Sequence, residues 1–227
     1  MADEKRKIVI PGEIIASGED FLPGEGTEKQ GENIVAMRYG VLEELNSLVK
    51  VIPLSGVYNA RVGNVIIGKV ENITFNGWLV DVSSAASAFL PVSEYPKYIR
   101  SEDLEEFIGI GDMIAAQVLS VKRKSIDLTV KARGLGRLDE GIIVRINSNK
   151  VPRIIGKAGS MVNLIKDETN CIITVGQNGF IWIMGNKIVD ELLAKEAILF
   201  VAENSTVNGL TERLQEWFKK EKTNKGK

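Results

Sequence analysis

The 227-residue sequence predicts a multidomain chain, mainly β in its first part and α+β in its last. Two patterns predict this. Through residues 1–131, short apolar runs are separated by Gly and Pro turn signals at strand-like intervals. From residue 141 the pattern changes to strand, helix, helix, strand, strand, helix. A third observation concerns function. Between a short helix and a longer one stands Gly156-Lys157-Ala158-Gly159, two glycines three apart with a basic residue inside.

Residues 1–57 are expected to form a small N-terminal β domain. Pro11-Gly12, Gly18, Pro23-Gly24-Glu25-Gly26 and Gly31 punctuate it, and the runs 34–37 and 48–52 supply short strands of a sheet or small barrel. Nothing in it carries chemistry, and its segments suit packing against a neighbour. Residues 58–131 are expected to hold five strands, at 63–73, 78–82, 87–91, 112–121 and 126–130. Thr74-Phe75-Asn76-Gly77 turns the first into the second. Lys122-Arg123-Lys124-Ser125 turns the fourth into the fifth. The acidic segment 101–107 suits a short helix with Ser101 as its N-cap. Five strands in this order suit a five-stranded OB-fold barrel.

Residues 132–205 begin with a strand at 141–146. Pro152 is well placed as the first residue of a helix. The G-x-x-G loop and a second helix follow. Strands at 171–175 and 180–184 are joined by Gly176-Gln177-Asn178-Gly179, a hairpin signal. An amphipathic helix over 187–202 completes a β-α-α-β-β-α order, that of a type I KH domain. Residues 206–227 are expected to be a C-terminal helix and basic tail. Leu210, Leu214, Trp217 and Phe218 share one helix face, and disorder is expected from Lys219 onward.

Composition narrows the function. The chain has a net charge of −1, which argues against a generic basic nucleic-acid binder. Charge is uneven, however: residues 131–166 carry roughly six more basic than acidic groups, and 92–112 is acidic. A local patch can steer an anionic polymer even when total charge is near zero. Histidine is absent, and Cys171 is the single cysteine. Zinc sites and Cys/His nucleophilic pairs are thereby excluded, and neither a metal nor a cofactor is expected. Asp81, Asp127, Asp139, Glu140, Asp167 and Glu168 sit in no catalytic motif, so no catalytic residue is nominated. One cysteine excludes an internal disulfide and fits a reducing compartment, hence an expected cytoplasmic location. No apolar run approaches ~18 residues, so no membrane partner is expected.

Three quoted stretches bring a family into view. GNVIIGKVENITFNGWLVDV…AFLPVSE…GDMIAAQVLSVKRKSIDLTV resembles the OB-fold RNA-binding domain named after the largest small-subunit ribosomal protein. IIVRINSNKVPRIIGKAGSMVNLIKDETNCIITVGQNGFIWIMG resembles a KH domain. With a PGE…PGEGT unit ahead of them, the order resembles the RNA-binding cap subunit of the archaeal exosome. That resemblance covers nearly the whole chain, and the domain order is its specific part. It implies a non-catalytic subunit. Three caps, alone or mixed with a second cap protein, would sit on a hexameric ring of phosphorolytic, RNase-PH-like subunits and feed RNA 3′ ends into it. A stand-alone OB/KH translation or transcription factor is the alternative. A fragment related to polynucleotide phosphorylase is disfavoured, because there KH precedes OB behind a catalytic core.

The candidate partner is therefore single-stranded RNA, and the candidate contacts fall in three places. Gly156, Lys157, Ala158 and Gly159 could clamp backbone phosphates, with the following helix pointing free N–H groups at the same spot. Arg153 leads into that loop. Phe75 and Trp78 flank the first barrel turn, where aromatics can stack on bases at about 1–3 kcal/mol each. Lys122, Arg123 and Lys124 form a basic turn suited to phosphates. Related OB domains carry an acidic residue near Lys122, so the basic run is a departure. Another departure is Pro91, where the family pattern often has His. Arg145 is expected to point away from Val144 and Ile146 into a surface ion pair. Cys171 is expected to pack as a small apolar residue at a strand start.

Overall fold

In a computed structural model, the chain is described over residues 7–123, 125–205, 207 and 209–225. It divides into two compact units, one ending at Gly56 and the other starting at Val57.

The first unit holds β1 (Ile8–Val9), β2 (Ile14–Ser17), β3 (Leu22–Pro23), β4 (Thr27–Gln30), β5 (Asn33–Ala36), β6 (Gly40–Leu45) and β7 (Leu48–Pro53). They form two sheets, β1-β6-β7-β3 and β2-β5-β4. The core is small: Val9, Ala36 and Val51 cluster with Ile15 and Leu42 beside them, and Ile34, Val35 and Val49 are buried as well. So few residues bury little surface, and many apolar side chains stay in solvent. Ile8, Ile10, Ile14, Leu22 and Met37 are each at least half exposed.

The second unit opens with a closed barrel. Its strands are β8 (Val65–Thr74), β9 (Gly77–Asp81), β10 (Ser87–Pro91), β11 (Met113–Val121) and β12 (Ser125–Thr129). Neighbours run β12-β10-β9-β8-β11, and β11 closes the ring by pairing with β12. Within the barrel, among the described residues, β10–β12 is the parallel pair and the others are antiparallel. Alternation explains the interior: Trp78, Val80, Ala88, Leu90, Ile126 and Leu128 point inward and are buried. The short helix α1 (Leu104–Phe107) closes one end by burying Leu104, with Ile108 beside it. Ser101 is not its N-cap. Asp103 holds that position without a side-chain cap bond, because burial of Leu104 and Ile108 fixes where the turn begins.

A short strand, β13 (Gly136–Leu138), adds to the open side of β11 and leads into the α+β part. There β14 (Ile142–Arg145), β15 (Ile172–Val175) and β16 (Phe180–Met184) form an antiparallel sheet in the order β14-β16-β15. Helices α2 (Val151–Ile155), α3 (Ser160–Thr169) and α4 (Ile188–Glu203) cover one face. The order is β-α-α-β-β-α, a type I KH arrangement. Helix α4 is less amphipathic than its sequence suggests. Leu193, Ala194, Ala197, Ile198 and Val201 face the core, but Ile188, Val189 and Leu192 face solvent.

The last helix, α5 (Leu210–Lys225), runs through the segment expected to be disordered. Residues 219–225 contain neither Gly nor Pro, and the lysines and Glu221 are good helix formers, so the helix continues. Leu210, Leu214 and Phe218 join the KH core, and Trp217 stacks on Phe200 at 5.7 Å. None of the helices among the described residues is long and apolar enough to cross a membrane.

Barrel and KH domain are fastened to each other. Strand β8 pairs with β9 only from Lys69 onward, which leaves Ile67 without a partner on that side. The hairpin between β15 and β16 fills the gap. Asn178 accepts from Ile67 N–H at 3.2 Å through Oδ1. Its Nδ2 donates to Ile67 O at 2.7 Å and to Val82 O at 3.0 Å. Gln177 N–H donates to Val65 O at 2.8 Å. A Cβ on Gly176 would sit 2.9 Å from Ile67 N, so only glycine permits the approach. Ile67, Ala115 and Trp182 make the apolar part of the joint.

Candidate nucleic-acid interface

The two barrel aromatics have opposite fates. Phe75 sits at the β8–β9 turn and is 81% exposed. Trp78 is fully buried, and its Nε1–H donates to Ile108 O at 2.9 Å. This corrects the expectation that Trp78 could stack on a base. Residues of β9 alternate, and Trp78 shares its inward face with Val80, so the ring belongs to the barrel core.

At the β11–β12 turn, Lys122 and Arg123 are both exposed, while Lys124 lies outside the described residues. Lys122 Nζ lies 2.7 Å from Asp127 Oδ2. Ser120 Oγ donates to the same oxygen at 2.6 Å. Hydrogen bonds from Lys122 and then Ser120 hold the Asp127 carboxyl below its ordinary range. A β-bulge at Leu119 sets this geometry: Val118 faces Leu128, and Ser120 then faces Asp127.

Phe75 and the basic turn do not form one cluster. The Phe75 turn adjoins Pro91, since Pro91 pairs with Gly77. The basic turn adjoins Ser87, which pairs with Ser125. Four residue steps along β10 separate these ends, about 13 Å at ~3.3 Å per residue. Phe89 lies between them, partly exposed, paired with Leu79 on one side and Asp127 on the other.

In the KH domain, the loop that follows α2 makes a single tight turn, Lys157–Gly159. Gly156, Ala158 and Gly159 all have positive φ, at 73°, 51° and 82°. The turn is held by its own backbone: Gly156 N–H donates to Pro152 O at 2.9 Å, Gly159 N–H to Gly156 O at 3.3 Å and Ser160 N–H to Lys157 O. Lys157 and Ala158 are exposed, and no side chain caps the start of α3. Arg153 on α2 is partly buried.

Several of the basic residues between 131 and 166 are already engaged. Lys131 pairs with Glu94 at 3.0 Å. Arg137 bridges Asp112 at 3.2 Å and Asp139 at 2.8 Å. Arg145, expected in a surface ion pair, instead lays its guanidinium 5.3 Å from the centroid of the Phe180 ring. Cys171 is buried, as expected of a small apolar residue, and burial pushes its thiol up. Among the described residues, no three His, Cys, Asp or Glu side chains group closely enough to hold a metal ion.

Asn178 escaped the sequence reading. As part of an Asn-Gly pair it carries an ordinary hairpin signal, and its partner Ile67 is 111 residues away. Only the two glycines beside it, Gly176 and Gly179, hint at a close approach.

Comparison with known proteins agrees with this architecture. Residues 8–43 match the family described as exosome complex exonuclease RRP4, N-terminal region, and residues 141–198 match the KH domain family. The chain is 38% identical over 213 residues to exosome complex component Rrp4 of Methanobrevibacter smithii, covering 93% of this chain and 70% of that one. It is 39% identical over 218 residues to exosome complex component Rrp4 of Pyrococcus furiosus, covering 93% and 82%. It is also similar to a crystal structure described as an exosome complex RNA-binding protein, with a TM-score of 0.66 and 32% identity over 75% of this chain and 99% of that one. With fold, domain order and nearly full-length identity in agreement, the chain belongs to the Rrp4 family of exosome complex components.

Proposed function

We propose that this chain is the non-catalytic RNA-binding cap of an archaeal-type exosome in the cytoplasm. It captures unstructured single-stranded RNA and passes its 3′ end to a hexameric RNase-PH-like ring that performs phosphorolysis. The observation that carries this reading is the rigid pairing of an OB barrel with a KH domain, in a chain alike to Rrp4 over 93% of its length.

On the barrel, Phe75, Lys122, Arg123 and Lys124 are the proposed RNA contacts. On the KH domain, Gly156, Lys157, Ala158, Gly159 and Arg153 are. Exposure of Phe75, Arg123, Lys157 and Ala158 supports this. Each of these contacts is independent of base identity, which suits a subunit that must handle any sequence. The N-terminal unit is the proposed assembly module. Its small core and exposed Ile8, Ile10, Ile14, Leu22 and Met37 favour burial against another protein. Three caps per ring, alone or mixed with a second cap protein, match the threefold repeat of such a hexamer.

Native co-purification tests this directly. The chain should emerge with ring subunits, at a complex mass matching three caps per six ring subunits, and deletion of residues 1–57 should abolish the association. Purification as a lone polypeptide or with ribosomes would favour a stand-alone translation factor instead.

A further inference from the structure

We infer that Asp127 is a positioning residue that governs how the basic turn meets RNA: it cancels Lys122, so that of Lys122 and Arg123 the arginine makes the phosphate contact. The inference rests on the proposed placement of RNA at this turn. Three observations on the structure lead to it.

First, the Asp127 carboxylate takes both a 2.7 Å ion pair from Lys122 and a 2.6 Å hydrogen bond from Ser120. The hydroxyl anchors the carboxylate whether or not the ammonium stays. Lys122 is the mobile partner, with its side chain 66% exposed against 23% for Asp127. An exposed pair of this kind is weak and can exchange partners. Yet if Lys122 swings to a phosphate, the fixed negative charge of Asp127 remains beside it. The pair therefore counts as neutral toward a polyanion in either state.

Second, the arrangement depends on the bulge. Without the extra residue at Leu119, register would set Leu119, not Ser120, opposite Asp127. Bulges re-aim side chains in this way. Here the bulge supplies the hydroxyl that keeps the carboxylate in place.

Third, Asp127 lies beside Phe89 on the outer barrel surface between the basic turn and the Phe75 turn. A strand passing from one turn to the other meets the carboxylate on its way. A contact weakened at that point favours release and onward movement over tight holding. Arg123, one residue further out, keeps its charge at the tip.

The test measures binding of a fluorescein-labelled 20-nucleotide oligoadenylate to the full chain by anisotropy across a potassium chloride series. The reading is the slope of log affinity against log salt. Asp127→Asn keeps the side-chain shape and can still accept from Ser120. It should steepen the slope by about 0.7, the value for one further phosphate on a single strand. In a Lys122→Gln background the same substitution should change the slope little, because the freed lysine is what makes the new contact. Arg123→Gln should make the slope shallower by about 0.7 whichever residue stands at 127. An equal steepening by Asp127→Asn in both backgrounds would mean general field relief, and no steepening in either would mean a purely structural carboxylate. Both results overturn the inference while leaving RNA at the turn. An unchanged slope for Arg123→Gln would remove Arg123 as a phosphate contact, and this inference with it. Matching thermal melts of the variants separate these effects from misfolding.

Discussion

Trp78→Ala is expected to destabilise the barrel by about 3–5 kcal/mol, the range for truncating a large buried aromatic. The indole is fully buried among Val80, Leu90, Ile114 and Leu128, and Tyr95 sits 5.9 Å from it. Its removal empties the middle of the barrel. It also strips the Ile108 carbonyl of the 2.9 Å bond that ties the α1 end to the strands. Denaturant titration should show a large drop in midpoint. Phe75→Ala, only a few residues away but exposed, should stay within about 0.5 kcal/mol of the parent. A small loss for Trp78→Ala would mean that the barrel core is organised around another residue. RNA binding gives the complementary reading: Phe75→Ala is expected to weaken it without touching stability.

The second large effect concerns the joint. Asn178→Ala removes three hydrogen bonds at once, two to Ile67 and one to Val82. Ile67 is fully buried, so its N–H and C=O gain no water in exchange. Each orphaned group costs roughly 1–3 kcal/mol, so a total of about 3 kcal/mol or more is expected. The loss is local to the contact between barrel and KH domain. The parent should unfold its barrel and KH domain in one transition, and the variant in two. Faster amide exchange at Ile67 should accompany the split. A single cooperative transition of unchanged midpoint in the variant would show that the apolar contact of Ile67, Ala115 and Trp182 suffices alone.

Why these two residues differ in legibility follows from their partners. Trp78 could have been read from the sequence. Trp78, Val80 and Val82 fall on alternate positions, and two valines on one strand face mark that face as inward. Flanking a turn together with Phe75 made it look like half of a stacking pair. Asn178 offered no such pattern, because its function lies in a contact 111 residues distant. The strand at 87–91 was legible to the residue, since Ser87 and Pro91 bracket an alternating run between clear breaks. Likewise the KH order was legible, because its helices and strands are set by local periodicity and by Gly and Pro signals.

Other parts depended on pairing that periodicity does not encode. Lys122 and Asp127 look unrelated in sequence, five positions apart across a turn. The bulge at Leu119 determines that Ser120 joins them, and a bulge leaves no mark in an apolar-polar pattern. The run of basic residues from 131 to 166 was read as a patch, but Lys131 and Arg137 are committed to Glu94, Asp112 and Asp139. Glu94 and Asp112 come from the acidic segment 92–112, and Asp139 from within the basic stretch itself. Net charge along a stretch of chain is therefore a poor guide to free charge on the surface when two stretches fold together.

The decisive measurement is phosphate-dependent release of nucleoside diphosphates from an unstructured oligoadenylate, by the ring alone, by this chain alone, and by the two reconstituted. The chain alone should release none, and its addition to the ring should accelerate release at limiting RNA. Lys122→Glu combined with Arg123→Glu should lose that acceleration while still assembling on the ring. Release by the pure chain, or a ring whose rate is indifferent to the cap, would contradict a role as a non-catalytic RNA-capturing subunit.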